Sequence, residues 1–335
     1  MPLVDLLPPD DGESRPAEVQ GGSMMDNILA QIEGQAPEGE IECHIAPKEL
    51  PDGYRLHNYV IERTLGAGGF GVTYLAREDV LGRLVVIKEN FPHSICYREA
   101  GSLKVLPEVG CKQENLDWAL SNFMREARLL ATIDHPHIAK LYSYFQWNGQ
   151  AYYVSEFIKG QSIAEVAQQY AERGEVIPQK ALYGTLVRLL DALDYLHERG
   201  MLHRDVKPDN VLITNPGLPV LIDFGAASEA GGDAFANVVE SLGFSPSEQT
   251  ANGGKMGPWT DLYALAATMY FVLTGAMMPS AQQRELYDTL DPLSKNPDLT
   301  PHYHPRLLAS IDRALSPQIE KRYRSVSDWM DDLRP

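Results

Sequence analysis

The chain has 335 residues, of which 44% are hydrophobic, and it carries a formal net charge of −17. This length is enough to bury a sizeable core in one two-lobed domain or in two smaller domains. The acidic balance repels nucleic acid and anionic membrane surfaces, so we expect neither as a partner, and it favours basic proteins only weakly. The three cysteines have no disulfide or metal-ligand spacing, which is typical of a reducing, cytoplasmic compartment.

The first 50 residues are rich in Pro, Gly, Glu and Asp, and we expect them to form an acidic, largely disordered tail. Apolar residues with helical spacing over Met25–Ile32 predict one short amphipathic helix, a candidate docking site for a partner. A transient helix in solvent is the favoured alternative, because so short a helix is marginal in water. The apolar stretch Leu262–Met278 contains Thr and Gly and follows Asp261, so it predicts a buried helix and no membrane span.

After the tail, the sequence predicts strands first and helices later. Runs of β-branched and aromatic residues predict strands over 59–65, 72–76, 84–88, 138–146 and 151–158. Helical periodicity is found over 116–133, 162–173, 178–199, 260–274 and 325–333. The segment 89–114 is predicted to be irregular. This order favours a small β-rich lobe that leads into a larger helical lobe, with a ligand cleft between them.

A glycine cluster separates the first two predicted strands, in the sequence Gly66-Ala67-Gly68-Gly69-Phe70-Gly71-Val72. Glycines let backbone N–H groups approach phosphate oxygens, which side chains would block. A dinucleotide-binding turn would lead into a helix, whereas a strand pattern follows here. Alone, the cluster is weak evidence, because a glycine-rich hairpin without a function would have the same sequence.

Lys88 ends an apolar strand, so its stem is predicted to be buried and its ammonium needs an acidic partner. Glu126, on the helix 116–133, is the best candidate for that partner. A Lys–Glu pair there would hold the lysine against the α- and β-phosphates of a nucleotide. For Glu126 taken alone, a solvated glutamate on a helix surface is the simpler interpretation.

The most specific stretch is the polar loop after Leu202. Asp205, Lys207 and Asn210 lie there between two apolar runs, and Asp223-Phe224-Gly225 follows the next predicted strand. This set supplies a base for a hydroxyl and a cation for a transferring phosphoryl group. Asn210 and Asp223 supply oxygen ligands suited to Mg²⁺. A polar loop without a function is a remote alternative once both motifs occur in this order.

With these motifs in order, the sequence resembles the Hanks-type (eukaryotic-like) Ser/Thr protein kinase family over residues 58–334. It is most similar to bacterial members, which often read Lys-Glu-x-Phe-Pro after the third strand, as Lys88–Pro92 does here. The resemblance implies a bilobal α+β protein kinase fold with an N-lobe over 58–158 and a C-lobe over 160–334. It also implies transfer of the ATP γ-phosphate to protein Ser/Thr hydroxyls with Mg²⁺, or with Mn²⁺ as the alternative metal.

The resemblance assigns a role to each residue that matches a motif. It implies that Asp205 is the catalytic aspartate, that Lys207 binds the transferring phosphate, and that Asn210 and Asp223 hold the metal. Lys88 and Glu126 are the expected ion pair. The remaining residues are expected to contact the phosphates or the adenine of ATP, and they are Gly66, Gly68, Gly71, Val72, Val86, Ser155, Glu156, Ile158 and Leu212. Ser155, at the gatekeeper position, is small, which predicts an open space behind the adenine.

The resemblance extends to residues that support the site. Asp261 matches the aspartate that braces the catalytic loop, and Glu248 and Arg322 match a buried ion pair of the C-lobe. Ser241, at the position of a substrate-loop threonine, favours Ser/Thr over Tyr as the acceptor together with Lys207. Two features depart from the family pattern, because Ser245–Glu248 replaces Ala-Pro-Glu and Val86 stands where most kinases have alanine.

Two alternatives to a protein kinase remain at this point. One is a pseudokinase scaffold that binds nucleotide, although such proteins typically lose the strand lysine, the catalytic aspartate or the metal aspartate, which this chain keeps. The other is a small-molecule phosphotransferase of related fold, which generally lacks a counterpart of Lys207. We expect a cytoplasmic protein or, as in many bacterial relatives, the cytoplasmic part of a longer chain.

Overall fold

The computed structural model describes residues 48–69, 71–224, 228–229, 241–250 and 254–334, which belong to one unit, His44–Pro335. The predicted helix at Met25–Ile32 and nearly all of the predicted tail lie outside the described residues. At the edge of the predicted tail, Leu50 is buried against the first sheet.

The first half of the described chain is dominated by β-strands. In chain order, its elements are β1 (Arg55–Leu56), β2 (Tyr59–Gly68), β3 (Gly71–Glu78), β4 (Leu84–Asn90), β5 (Cys96–Arg98), β6 (Val105–Pro107), α1 (Gln113–Leu130), β7 (Leu141–Trp147) and β8 (Gln150–Glu156). Six strands form one antiparallel sheet in the order β1–β2–β3–β4–β8–β7. Asn148 and Gly149 both have positive φ (51° and 76°), the backbone geometry of a tight two-residue hairpin turn.

The two faces of this sheet have different partners. On one face, Tyr74, Ile87 and Val154 are fully buried in a cluster that includes Leu50 and Phe91. On the other face, Tyr153 joins helix α1 and the main core of the helical half. Because side chains alternate along a strand, β4 directs Ile87 to the first face and Lys88 to the second.

The segment 89–114, predicted to be irregular, contains a hairpin made of β5 and β6. The prediction was wrong because the hairpin depends on buried contacts that composition does not reveal. Arg98 of β5 is fully buried and donates hydrogen bonds to Glu89 of β4 (2.8 Å) and to the carbonyl of Lys48 (2.7 Å). The Glu89 carboxylate also accepts hydrogen bonds from the hydroxyls of Tyr74 and Tyr152, both at 2.7 Å.

The second half is dominated by helices. The helices are α2 (Ile163–Glu172), α3 (Gln179–His197), α4 (Ser247–Thr250), α5 (Pro258–Thr274), α6 (Ala281–Leu286), α7 (Pro305–Ala314) and α8 (Val326–Leu333). Its short strands are β9 (Gly160–Ser162), β10 (Met201–Leu202), β11 (Val211–Thr214), β12 (Pro219–Leu221) and β13 (Ser228–Glu229). Strands β12, β11 and β9 form a sheet, and β10 pairs with β13. A β-rich half followed by a helical half is the predicted α+β arrangement.

Helix α5 is the buried helix that the apolar stretch predicted. It starts with Pro258 in its first turn and ends at Gly275, whose φ of 67° is the left-handed conformation that terminates many helices. Leu262, Leu265 and Met269 have no exposed surface. Within the part of the chain that the structure describes, no helix is long and apolar enough to cross a membrane.

Candidate active site

The polar residues predicted for phosphate transfer come together in the loop between β10 and β11. The Asp205 carboxylate is buried and accepts hydrogen bonds from Lys207 Nζ (2.8 Å), Asn210 Nδ2 (2.8 Å) and Ser241 Oγ (2.7 Å). These donors fix the orientation of the carboxylate. The bond from Ser241 demonstrates that Asp205 has room to accept a hydrogen bond from a hydroxyl group.

Asp261, at the start of α5, braces this loop as predicted. Its fully buried carboxylate accepts hydrogen bonds from the backbone N–H groups of His203 (2.9 Å) and Arg204 (2.8 Å) and shares one with His197 Nε2 (2.8 Å). Although burial alone would raise the pKa of Asp261, the hydrogen bond and charge of His197 hold it below the ordinary value. The φ of Arg204 is 62°, a sparsely populated conformation that these contacts stabilise.

Lys88 pairs with an acid other than the one predicted. Its ammonium forms an ion pair with Asp223, which follows β12, and not with Glu126 of α1. Burial alone would lower the pKa of Lys88, but the titratable groups beside it, Tyr153, Asp223 and Glu126, raise it above the ordinary value. Lys88 is therefore charged, and its carboxylate partner in this structure lies in the second half of the chain.

Glu126 nevertheless lies in the same buried region. Its Oε1 atom is buried and has no hydrogen-bond partner among the residues that the structure describes. Burial raises the pKa of Glu126 to about 8, with Lys88 opposing the shift and Asp223 adding to it. A buried carboxyl oxygen without a hydrogen bond is costly, so Oε1 of this half-buried residue is poised to gain a partner.

Asn210 and Asp223, the predicted metal ligands, lie at the same end of the antiparallel pair of β11 and β12, with Asn210 just before β11 and Asp223 after β12. The Asn210 carbonyl accepts a hydrogen bond from the backbone N–H of Ile222 (2.9 Å). The side-chain nitrogen of Asn210 donates hydrogen bonds to Asp205, and the amide oxygen takes no part in them. Amide and carboxylate oxygens suit a hard divalent cation, which commonly takes one or two protein carboxylates and completes its shell with phosphates and water. The donor set therefore fits a cation bound together with a nucleotide.

The glycines of the predicted phosphate loop differ in what surrounds them. A Cβ atom at Gly66 or Gly68 would meet nothing within 4 Å, so the backbone there is open to a ligand. A Cβ atom at Gly71 would lie 2.3 Å from the carbonyl oxygen of Glu89 in β4. Gly71 is therefore required by the close approach of two strands, whatever its role toward phosphate.

Val72 does not lie where it was predicted to contact the nucleotide. It pairs with Glu89 across β3 and β4, and it is fully buried in the cluster on the face opposite Lys88. Thr73 is the residue that pairs with Lys88 and shares its face. The spacing of the glycine motif already indicated this placement. In the family motif the valine stands two residues after the last glycine, and in this chain that position is Thr73.

The residues predicted to contact adenine are at least partly accessible. Val86 and Ser155 pair directly across β4 and β8, on the face that carries Lys88. Glu156 uses its backbone N–H to bond the carbonyl of Lys140 (2.8 Å), so that N–H is not available to a ligand. The other two predicted contacts are half-buried, and they are Ile158 after β8 and Leu212 in β11.

Tyr153 is a residue of this site that the sequence reasoning missed. It lies two positions before Ser155 in β8, so both side chains are on the Lys88 face, and its ring is buried there. A large side chain therefore stands next to the small gatekeeper, where an open space was predicted. Because side chains alternate along a strand, the sequence could have predicted that Tyr153 shares the face of Ser155.

Two further contacts support the site, and the second of them, the ion pair of Glu248 and Arg322, was predicted. The rings of His203 and Phe224 lie 4.5 Å apart between centroids, which packs the catalytic loop against the residue after Asp223. Arg322 Nη1 lies 2.8 Å from Glu248 Oε1, and both side chains are almost fully buried.

Known proteins share this fold and this sequence pattern. The family model described as "Protein kinase domain" matches residues 59–324. The serine/threonine-protein kinase PknA of Nostoc is 31% identical over 83% of this chain and 47% of the relative. The serine/threonine-protein kinase PknF of Mycobacterium tuberculosis is 31% identical over 84% of this chain and 56% of the relative. This chain thus spans about half the length of the curated relatives that it matches.

Solved structures give the same result. The structure titled "PpkA-294 apo form" is 32% identical, with a TM-score of 0.71, and the match covers 86% of this chain and all of that one. The kinase domain of Mycobacterium tuberculosis PknI is 26% identical, with a TM-score of 0.59, over 84% of this chain and 97% of that one. The chain therefore belongs to the protein kinase family, and it carries a domain of the bacterial serine/threonine kinase type with the predicted bilobal α+β fold.

Proposed function

We propose that this chain transfers the γ-phosphate of ATP to serine and threonine hydroxyls of protein substrates, with Mg²⁺ as the metal. The observation that carries the proposal is the Asp205 carboxylate, which is buried, oriented by Lys207 and Asn210, and already accepts a hydrogen bond from the Ser241 hydroxyl at 2.7 Å. An acceptor hydroxyl of a substrate has the same chemistry as the hydroxyl of Ser241.

In the proposed reaction, Asp205 accepts the proton of the substrate hydroxyl as its oxygen bonds to the γ-phosphorus. The bond between that phosphorus and the β,γ-bridging oxygen breaks, and ADP leaves. The Lys207 ammonium, held 2.8 Å from Asp205, lies where it can neutralise charge on the transferring phosphoryl group. The buried hydrogen bonds of Asp261 keep the loop in this geometry throughout the reaction.

Nucleotide and metal would bind between the face that carries Lys88 and the residues that follow β12. Lys88 would contact the α- and β-phosphates, and the backbone at Gly66 and Gly68 would cover them. Asn210 and Asp223 would hold the divalent cation, which would supply positive charge against the phosphate groups of the nucleotide. We propose Mg²⁺ as the metal because carboxylate and amide oxygens with nucleotide phosphates are its usual ligands, and Mn²⁺, which takes the same oxygen ligands, is the alternative.

We further propose that the domain acts in the cytoplasm, where ATP is made. The two cysteines in the described residues, Cys96 and Cys111, are free thiols, as is typical of a reducing compartment. The net charge of −17 favours basic protein substrates weakly. The helix predicted at Met25–Ile32 stays a candidate docking site for a partner.

The proposal is tested by incubating the purified chain with γ-³²P-ATP, Mg²⁺ and a generic basic protein, followed by phosphoamino acid analysis of the product. We expect label on serine and threonine in the wild-type reaction and none with Lys88→Met. Label on tyrosine alone, or binding of nucleotide without any transfer, would contradict the proposal. Replacing Mg²⁺ by Mn²⁺ in a parallel reaction tests the choice of metal.

A further inference from the structure

Tyr153 stands directly beside Lys88 across two neighbouring strands. The two residues form a cross-strand pair in the register of β4 and β8. Directly paired residues have their Cβ atoms roughly 5 Å apart and point to the same side of the sheet. The phenol therefore shares the site of the lysine ammonium.

The position of Tyr153 is also fixed from the helix side. Its ring is only 5% exposed and stacks on Phe123 of α1, with centroids 5.1 Å apart and planes inclined by 17°. Glu126 follows Phe123 by three residues, which brings both side chains to one face of α1. Tyr153 thus lies between the strand that carries Lys88 and the helix that carries Glu126.

The electrostatics agree with this placement. Burial raises the pKa of Tyr153 well above its ordinary value, the charge of Lys88 opposes the shift, and Asp223 and Glu126 add to it. Tyr153 is therefore a neutral phenol at physiological pH. The oxygen of a neutral phenol on the residue paired with Lys88 can accept a hydrogen bond from the ammonium.

Lys88 has a reason to change its carboxylate partner during the proposed reaction. In this structure it is paired with Asp223, one of the two proposed metal ligands. A divalent cation at Asp223 would repel the ammonium, while the buried Oε1 of Glu126 has no partner among the described residues. Binding of Mg·ATP therefore favours movement of Lys88 from Asp223 toward Glu126 and the phosphates.

We propose that Tyr153 is a positioning residue for Lys88: its phenol oxygen accepts a hydrogen bond from the ammonium and holds it while the lysine exchanges Asp223 for Glu126. This inference rests on the proposed function, because it assumes that Mg·ATP binds at Lys88 and Asp223. It assigns a role to a position that the catalytic motifs leave out.

The test compares Tyr153→Phe with the wild type in Mg²⁺-dependent binding of the fluorescent nucleotide mant-ATP. The variant keeps the ring that stacks on Phe123 and removes only the hydroxyl. We expect nucleotide affinity to fall about 10-fold, as for loss of a hydrogen bond to a charged group, with the KM for the protein substrate unchanged. The matched control is Tyr144→Phe, the same change at the partly exposed residue that pairs with Tyr153 from β7. The Tyr144→Phe control should bind mant-ATP with the affinity of the wild type.

A merely structural role for Tyr153 is tested by a double-mutant cycle with Lys88→Met. If the hydroxyl acts through Lys88, Tyr153→Phe should cause no further loss of affinity in the Lys88→Met background. An equal loss in both backgrounds, or wild-type affinity in Tyr153→Phe, would overturn the inference. The midpoint of urea unfolding should be the same for Tyr153→Phe and the wild type. Because these measurements read binding, phosphate transfer by the wild-type chain tests the proposed function separately.

Discussion

Lys88 of β4 and Asp223, which follows β12, form an ion pair that joins the β-rich half of the domain to the helical half. The pair uses a carboxylate that we propose as a metal ligand, and the buried Oε1 of Glu126 in α1 has no hydrogen-bond partner among the described residues. The site is thus arranged with Asp205, Lys207 and Asn210 already in contact, while the lysine that would hold ATP is paired elsewhere.

The first prediction concerns the pH dependence of stability. Burial raises the pKa of Glu126 to about 8 in the folded protein, against an ordinary value of 4.5. Between these values the folded state holds the extra proton, so the free energy of unfolding of the nucleotide-free protein should fall as pH rises from about 5 to about 8. Glu126→Gln should flatten this slope in urea unfolding measured at several pH values.

The control for this experiment is Glu114→Gln, which removes an exposed carboxylate from the first turn of the same helix and should leave the slope unchanged. The charged and titratable groups around Glu126 are Lys88 from β4, Asp223 after β12 and Arg204 from the catalytic loop, with Tyr153 from β8. A slope that is the same in Glu126→Gln and in the wild type would contradict the raised pKa.

The second prediction is that two glycines of the phosphate loop have different roles, one in stability and the other in ATP binding. Gly71→Ala should destabilise the protein, because the new Cβ would lie 2.3 Å from the Glu89 carbonyl oxygen. Gly68→Ala meets open space in the structure, so it should preserve stability and raise the KM for ATP several-fold. Thermal unfolding and steady-state kinetics check the two effects. Equal melting temperatures for the two variants would refute the distinction.

The third prediction concerns the buried pair of Glu89 and Arg98, whose side chains have no exposed surface. Glu89→Gln would leave the guanidinium buried without its counter-charge, and we expect the free energy of unfolding to fall by about 3–5 kcal/mol. Lys140→Gln removes one partner of the exposed pair with Asp134 and should cost no more than about 1 kcal/mol. Urea unfolding of both variants gives the comparison, and similar losses would argue against a structural role for the buried pair.

The fourth prediction concerns the space beside the gatekeeper. Since Tyr153 is buried on the same face as Ser155, we expect purine analogues with bulky N6 substituents to inhibit the wild-type chain weakly. Tyr153→Val should lower the inhibitory concentration at least 10-fold by opening that space. Adding Ser155→Phe to this variant should restore resistance. Strong inhibition of the wild type would show that the tyrosine leaves the space open.

Much of the fold and of the reacting groups could be predicted from the sequence, because the signals are local. Strand and helix periods identified the main elements, and the spacing of Asp205, Lys207 and Asn210 is a property of one short loop. The αL glycine that ends α5 and the Asn148-Gly149 turn are likewise encoded by adjacent residues.

The remainder depends on tertiary contacts that spacing does not encode. The hairpin of β5 and β6 is fixed by Arg98 reaching Glu89 and the carbonyl of Lys48. The partner of Lys88 depends on which acid the folded chain brings to it. Both features required the contacts of the folded chain to be known.

The most direct measurement of the central claim is the rate of phosphate transfer by Asp205→Asn, taken together with its affinity for Mg·mant-ATP. Because Asp205 is proposed to accept the hydroxyl proton and does not bind nucleotide, we expect the rate to fall about 100-fold or more while the affinity stays near that of the wild type. Asp298→Asn, the same change on an exposed loop, should leave both unchanged. Transfer by Asp205→Asn at the wild-type rate would contradict the account.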